Sequence, residues 1–299
     1  MRTDKTVKKL LVTPGKGINL KNFPTGWATN GERKGVGRET MKERYTELLE
    51  ASRTSLSSAQ ELLWAGNAWS VLVILQGMDT AGKDGTIKHV MSGVNPQGCS
   101  VTSFKVPTPE ETDHNFLWRY SEKLPKRGEI GVFNRSYYEE VLIVRVHPDL
   151  LHNQRLPPGK RGNRFWNARY EDINGFEQHL VRNGTLILKF FLHISGDEQK
   201  RRLLERLDNQ AKYWKFSLSD LAERQYWAEY QRAYELVLKK TSTNHAPWYI
   251  IPADDKLAAW MLVSDIIATK IKELPLRYPE VSAEQMGMIE KARDQLMQE

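Results

Sequence analysis

One short segment, from Gly77 to Thr86, constrains this chain more than any other feature of its sequence. It reads GMDTAGKDGT and has the GxxxxGK spacing of a phosphate-binding loop, between an aliphatic run and a helical pattern. Glycines let backbone N–H groups turn toward an anion, the helix adds its positive N-terminus, and Lys83 adds a point charge. Gly77, Gly82, Gly85 and Thr86 are therefore predicted to bind phosphate. The alternative is a glycine-rich turn that holds a solvated lysine.

Short apolar segments alternate with helical patterns along the chain. The predicted strands are Trp69–Gln76, Ser100–Val106, Glu129–Phe133, Thr185–Ile194 and Trp248–Pro252. A long amphipathic helix is predicted from Arg38 to Ala65, and capping patterns mark helix starts at Thr108, Ser195 and Ser217. This order predicts an α/β fold with five mostly parallel strands and helices on both faces, with ligands at the carboxyl ends of the strands.

No internal repeat or Gly/Ser linker divides the 299 residues. We therefore predict a basic N-terminal arm over residues 1–37, one domain over 38–275 and a C-terminal tail over 276–299, with a helix from Ser282 to Gln298. The arm is expected to be extended and either to wrap the domain or to reach a neighbouring subunit. Its first 22 residues carry six Lys or Arg and no long apolar run, so a cytoplasmic protein without membrane spans is expected.

Basic residues outnumber acidic ones, 44 to 37, which favours anionic partners. Six Lys or Arg and one acid lie between Arg145 and Arg169, and six Lys or Arg and two acids lie between Lys200 and Lys215. Because these clusters flank strand ends that carry a phosphate loop, they predict a lid and channel for a long polyanion. Solvated helix faces are one alternative. A nucleic-acid surface, with aromatic residues that stack on bases, is another.

Divalent metal is expected at the loop. Phosphate loops commonly have Ser or Thr after the lysine, where the hydroxyl contacts Mg²⁺, but this chain has Asp84 there. Asp79, inside the loop, is predicted to supply a carboxylate oxygen to Mg²⁺, or to Mn²⁺ in its place. The alternative for Asp79 is a turn residue that caps a backbone amide.

The third predicted strand ends in Asn134 and Arg135, at the edge where many phosphate-loop proteins have an acid. Arg135 is predicted to offset charge on a transferring phosphoryl group. The alternative is a structural arginine paired with Glu139 or Glu140. Whether Asn134 assists metal binding is left open by the sequence.

An acceptor site is predicted at Asn115 and Arg119. The two residues lie four apart after the Thr108 cap, so we expect them on one helix face. Arg119 would meet the phosphate of an acceptor, and the uncharged Asn115 would tolerate acceptors with one or two phosphates. The alternative is that both residues merely cap and pair on a surface helix.

These motifs together resemble the polyphosphate kinase 2 family. The resemblance covers about residues 40 to 270 and rests on five elements: GxDxxGKxG at 77–85, FxRSxY at 133–138, YEDINGFE at 170–177, WKFS at 214–217 and APW at 246–248. It implies a thymidylate-kinase-like P-loop fold, a three-layer sandwich with a helical lid. It also implies Mg²⁺-dependent phosphoryl transfer between inorganic polyphosphate and a nucleotide.

The resemblance also assigns roles by position. It gives metal binding to Asp79, phosphate contacts in the transfer site to Lys83 and Arg135, and polyphosphate contacts on the lid to Arg206, Lys215 and Arg202. The chain departs from the common FDRSWYN pattern by reading FNRSYYE at 133–139, which leaves a second carboxylate ligand in doubt. In this respect it is similar to the subgroup that accepts both nucleoside mono- and diphosphates.

The expected activity is transfer of a terminal phosphoryl group from polyphosphate to AMP or ADP, with adenine or guanine nucleotides as partners. A homo-oligomer, dimer or tetramer, that binds no nucleic acid is expected. Two alternatives remain at this point: a kinase that uses ATP as donor for a nucleotide or small molecule, and a basic P-loop module that binds nucleic acid.

Overall fold

Five parallel strands form one sheet at the centre of the chain, in the order β2-β3-β1-β4-β5. The computed structural model describes residues 3–27 and 38–299. The strands are β1 (Ser70–Gly77), β2 (Cys99–Ser103), β3 (Ile130–Asn134), β4 (Thr185–His193) and β5 (Trp248–Pro252). The inner strands are buried on both faces, as their continuous aliphatic sequences require. The predicted α/β class and the five strands are confirmed.

Twelve α-helices surround the sheet in the part of the chain described above. They are α1 (Thr3–Leu10), α2 (Arg38–Gly66), α3 (Lys83–Val90), α4 (Pro109–Asp113), α5 (Trp118–Ser121), α6 (Ile143–Val146), α7 (Asn163–Arg182), α8 (Gly196–Leu207), α9 (Leu218–Arg224), α10 (Trp227–Thr241), α11 (Lys256–Lys272) and α12 (Ala283–Gln298). α2, α3 and α11 pack together as one layer, and α6, α7 and α10 as another. Lys189 and Phe191 of β4 face α7 and α10. The sheet thus lies between two helical layers.

The predicted strand Ser100–Val106 is too long at its end. β2 stops at Ser103, although Phe104 N still donates to the Asn134 carbonyl. Val106 is exposed and precedes Pro107, which has no N–H for a strand ladder. The residues after Ser103 instead line the edge of the sheet where the parallel strands end.

The N-terminal arm starts as helix α1 rather than as extended chain, and its described residues wrap the domain. Leu11 forms an antiparallel bridge with Tyr249 of β5, and Val12 N donates to the Trp248 carbonyl. Leu10, Val12 and Leu20 are buried. Residues 1–2 and 28–37 of the predicted arm lie outside the described residues, and the domain limits at 37 and 275 stay predictions.

The predicted C-terminal helix is present as α12, capped by Ser282 and Gln285. Its large apolar side chains, such as Ile289 and Leu296, are exposed. Among residues 3–27 and 38–299, no helix combines the length and apolar character that crossing a bilayer requires.

Candidate active site

The loop between β1 and α3 forms the floor of a cleft at the carboxyl edge of the sheet. A Cβ on Gly77 would lie 2.9 Å from the Leu192 carbonyl oxygen, so the strand can approach β4 here only because residue 77 is glycine. Gly82 has φ of 104°, a conformation that glycine adopts without strain, immediately before α3. The predicted order of strand, loop and helix is confirmed.

The cleft has a volume of about 720 Å³. Gly82, Gly85 and Thr86 line it, whereas Gly77 does not. Seven basic and four acidic side chains face it: Lys83, Lys105, Arg135, Arg202, Arg206, Lys212 and Lys256, with Asp79, Asp84, Glu205 and Asp220. An excess of positive charge in a concave site raises the local concentration of anions. The cleft is therefore suited to a polyanionic ligand.

Lys83 lies at the base of the cleft. Its Nζ donates to the carbonyl oxygens of Gly77, at 2.6 Å, and Met78, at 3.2 Å. Burial lowers the pKa of Lys83, and the Arg135 guanidinium lowers it further, while Asp79 and other carboxylates oppose the change. A poorly hydrated ammonium group beside a second cation gains much from a bound phosphate, because each new anionic contact offsets the repulsion.

Arg135 follows β3 in the left-handed conformation, with φ of 65°. Its N–H donates to the Leu75 carbonyl, and its Nη2 donates to Asp79 Oδ1 at 3.1 Å. Burial opposes the charged form, but the carboxylates of Glu139 and Asp79 outweigh it and raise the pKa of Arg135. The ion pair thus forms with Asp79 of the loop rather than with the Glu139 or Glu140 of the alternative interpretation.

Two carboxylates line the cleft near the loop, Asp79 and Asp84. Asn134 Nδ2 donates to Asp84 Oδ1 at 2.8 Å and to Ser103 Oγ at 3.2 Å, so Asn134 orients the carboxylate that follows Lys83. No group of three or more His, Cys, Asp or Glu residues fit for a metal occurs among the described residues. Mg²⁺ commonly uses one or two carboxylates, waters and substrate phosphates, so these two carboxylates fit Mg²⁺.

Arg202 lines the cleft but is held mainly by the protein itself, and its implied polyphosphate contact stays a prediction. Its side chain is only 5% exposed, and its nitrogens donate to the carbonyls of Thr80 and Ala81 at 3.0 Å and to the Ala253 carbonyl at 2.6 Å, as well as to Glu198. Its neighbour on α8, Gln199, donates to the Asp79 carbonyl at 3.1 Å. Three consecutive loop carbonyls are therefore held by one helix. Arg202 shapes the phosphate loop, and protein acceptors occupy its guanidinium.

The predicted basic cluster Lys200–Lys215 lies on α8 and on a 3₁₀ helix (Gln210–Lys215); together with α9, which follows, these helices are called the lid below. The other predicted cluster, Arg145–Arg169, contributes no residue to the lining of the cleft. Arg206 of α8 lines the cleft, and its Nη1 lies 3.0 Å from Asp220 Oδ2 of α9. Lys212 also faces the cleft. The side chain of Lys215 lies outside the described part of the chain, so its predicted contact stays a prediction.

A second cavity, of about 590 Å³, adjoins the cleft and shares Phe104, Lys105 and Arg135 with it. Its walls are largely apolar and include Val106, Pro107, Pro109, Tyr120, Ile143, Val144 and Leu150. Polar side chains such as Arg119, Glu139 and Gln154 line it as well. Cavities of this size that combine apolar walls with placed polar groups are typical of sites for a drug-sized ligand. A flat, partly apolar group can therefore bind here with its polar end at Arg135.

The expectation that Asn115 and Arg119 share one helix face is wrong. α4 ends at Asp113, His114 is extended, and the Asn115 side chain accepts from the Leu117 N–H, a local bond that competes with helix formation. Arg119 lies in the wall of the second cavity, where it is mostly buried, donates to the Lys105 carbonyl and forms an ion pair with Glu111. Asn115 is exposed and lines neither cavity. Their acceptor role stays a prediction.

Sequence reasoning missed several groups at this edge. Lys105 and Lys256 line the cleft, and Glu139 lies in the second cavity with Oε1 bonded to Gln76. Lys105 is the second residue after β2, so its place just beyond a parallel strand was a usable signal. Gln199 had none, because its contact depends on how α8 packs against the loop.

Comparisons with known proteins agree with this geometry. The family model for polyphosphate kinase 2 matches residues 39–277. The ADP-polyphosphate phosphotransferase of Rhodopseudomonas palustris is 50% identical over 97% of this chain and 98% of its own length, and the AMP/ADP-polyphosphate phosphotransferase of Meiothermus ruber is 44% identical over 92% and 96%. The crystal structure of polyphosphate kinase 2 from Arthrobacter aurescens superposes with a TM-score of 0.81 at 39% identity, over 94% of this chain and 95% of that one. The chain therefore belongs to the polyphosphate kinase 2 family.

Proposed function

We propose that this protein transfers phosphoryl groups between inorganic polyphosphate and the nucleotides AMP and ADP. Two relatives that match nearly the whole chain are named as phosphotransferases that pair polyphosphate with ADP or with AMP and ADP. These names favour polyphosphate over ATP as the donor, and they favour an enzyme over a nucleic-acid-binding module.

One observation carries the proposal: Arg135 lines both the basic cleft and the largely apolar cavity beside it. The cleft suits a chain of phosphates, and the cavity suits a nucleotide base and ribose. A phosphate at Arg135 would then lie where the two ligands meet. This arrangement brings donor and acceptor phosphates together without a covalent enzyme intermediate.

In the proposed reaction, an oxygen of the acceptor phosphate attacks the terminal phosphorus of polyphosphate. The new P–O bond forms as the terminal P–O–P bridge breaks, and the donor leaves one phosphate shorter. Lys83, Arg135 and the N–H groups of the loop hold the phosphoryl oxygens and offset their charge. Catalysis of this kind rests on positioning and electrostatics.

Asp79 and Asp84 would hold Mg²⁺, with Asn134 fixing Asp84 by its hydrogen bond. When bound, the ion neutralises part of the phosphate charge at the transfer site. Mn²⁺ as a substitute, guanine nucleotides as partners, a cytoplasmic location, a homo-oligomeric state and the absence of nucleic-acid binding stay predictions from sequence.

The test supplies polyphosphate as sole phosphoryl donor and follows products by chromatography. We expect ATP from ADP, and ADP followed by ATP from AMP. Lys239→Ala, which removes an exposed lysine of α10 away from both cavities, is the matched control for charge variants of the site. No product with polyphosphate, together with turnover on ATP and a small acceptor, would assign the protein to ordinary nucleotide kinases.

A further inference from the structure

A buried polar cluster lies beneath the turn that carries Arg135. Glu177 of α7 and Lys189 of β4 both have side chains 0% exposed, and Lys189 Nζ lies 2.6 Å from Glu177 Oε2. The same Nζ donates to the Tyr138 hydroxyl at 2.9 Å and to the Thr241 carbonyl at 2.7 Å. All three donors of the ammonium group are thus satisfied within the core.

The other oxygen of Glu177 binds two consecutive tyrosines. The hydroxyls of Tyr137 and Tyr138 donate to Glu177 Oε1, at 2.9 Å and 2.7 Å. These are the second and third residues after Arg135, at the start of a 3₁₀ helix (Tyr137–Val141) capped by Ser136. One carboxylate therefore anchors the chain that leaves the active-site turn.

Stability alone does not account for this cluster. A buried ion pair loses hydration on folding, and well-packed apolar residues in its place are often as stable or more so. What distinguishes Glu177 is the identity of its partners, because both hydroxyls that donate to it belong to the segment next to Arg135. The phosphate sites do not include any member of the cluster.

The turn itself needs an anchor. Arg135 has a Cβ, so its left-handed backbone conformation is unfavourable and persists only where the surroundings hold it. On one side, the ladder of β1 and β3 holds the turn, with the Arg135 N–H on the Leu75 carbonyl. On the other side, the two tyrosines hold it through Glu177.

We propose that Glu177 is a positioning residue for phosphoryl transfer, which keeps Arg135 aimed at the phosphates by holding Tyr137 and Tyr138. Lys189 compensates the charge that this anchor requires in the core. The proposal rests on the transfer reaction proposed above. It also gives a role to the YEDINGFE segment at 170–177, whose last residue is this glutamate.

The test is a double-mutant cycle between Tyr137→Phe and Arg135→Lys, measured as ADP phosphorylation by polyphosphate. Tyr137→Phe removes one hydrogen bond and leaves Lys189 and Glu177 paired, so it avoids the risk that Glu177→Gln fails to fold. We expect kcat to fall by about tenfold with KM for both substrates within about twofold, because small misplacements of a catalytic group cost this much or more. In Arg135→Lys, the added Tyr137→Phe change should have little further effect.

Tyr249→Phe, the same change in a buried tyrosine of β5 outside the cluster, is the control and should leave kcat unchanged. Equal losses from Tyr137→Phe in both backgrounds, or raised KM values with unchanged kcat, would overturn the positioning role and leave only a structural one. If the wild type is active and Tyr137→Phe has the same kcat, the positioning role is also overturned, while the proposed function stays intact. A wild type inactive with polyphosphate would overturn both.

Discussion

The floor of the cleft and its lid are built in different ways. The floor consists of turns after buried parallel strands, and its charged groups are fixed by backbone contacts, as for Lys83 on the Gly77 carbonyl. The lid consists of short helices whose large side chains face solvent, with Trp214 78% exposed and Leu218 77% exposed. Fixed charges act best on a transition state, whereas exposed, adaptable charges attract a polyanion. We therefore expect floor variants to lower kcat and lid variants to raise KM.

The largest effect is expected from Lys83→Ala. Loss of a fixed charge at a transferring phosphoryl group typically costs about 10²-fold or more in rate. The side chain supports no core packing, so the melting temperature should stay near that of wild type. Initial rates with polyphosphate and ADP, beside the Lys239→Ala control, measure the effect. If Lys83→Ala turns over at the wild-type rate, the loop is not part of the transfer site.

Removal of divalent metal by a chelator should abolish transfer, and Mg²⁺ or Mn²⁺ should restore it. Asp79→Asn should lower kcat by about 10²-fold and stay slow at high metal, because it loses both a carboxylate ligand and the partner of Arg135. Rates over a metal titration test this. Full rescue at excess Mg²⁺ would make Asp79 a replaceable ligand, and normal rates at ordinary Mg²⁺ would exclude it from the metal site.

Arg202 and Arg206 sharpen the contrast because they lie one turn apart on α8 yet serve different regions. Arg202→Met should behave as a floor variant and lower kcat by about tenfold or more, since it releases two carbonyls of the phosphate loop. Arg206→Met should behave as a lid variant, with a higher KM for polyphosphate, unchanged KM for ADP and a smaller dependence on salt.

Arg201→Met, on the same helix but outside the cleft, is the control for both variants. Steady-state kinetics at two salt concentrations separate the outcomes. If Arg202→Met raises only the KM for polyphosphate, Arg202 contacts the ligand as the family resemblance implied. If Arg206→Met changes both KM values equally, Arg206 acts at the nucleotide.

The smallest effect is expected from Asn115→Glu, which belongs to neither region. The residue is exposed, so an added charge acts through water and is worth about 1 kcal/mol or less, a change of about fivefold in the ratio of kcat/KM for AMP and ADP. The ratio should change because the two acceptors differ by one phosphate. An unaltered ratio would remove Asn115 from acceptor selection.

Local sequence patterns predicted the floor well and the periphery less well. The loop, Asp79, Lys83 and Arg135 follow from strand ends, because parallel strands deliver these residues to one edge. The role of Arg202 could not be predicted, since its burial depends on how α8 packs against the loop. The interruption of the helix at Asn115 was missed because residue spacing alone predicts a continuous helix. It takes no account of the hydrogen bond from the Leu117 N–H to the Asn115 side chain. The end of β2 was missed because valine is common in strands, and the sequence does not show that Val106 is exposed.

The arm on β5 has a consequence for aggregation. An open strand edge presents unpaired N–H and C=O groups that can pair with another chain. β2 and β5 form the two edges of the sheet, and the segment around Leu11 and Val12 covers part of β5. The arm thus covers part of one of the two edges where intermolecular sheet growth could begin, and we expect a form without residues 10–12 to aggregate more readily.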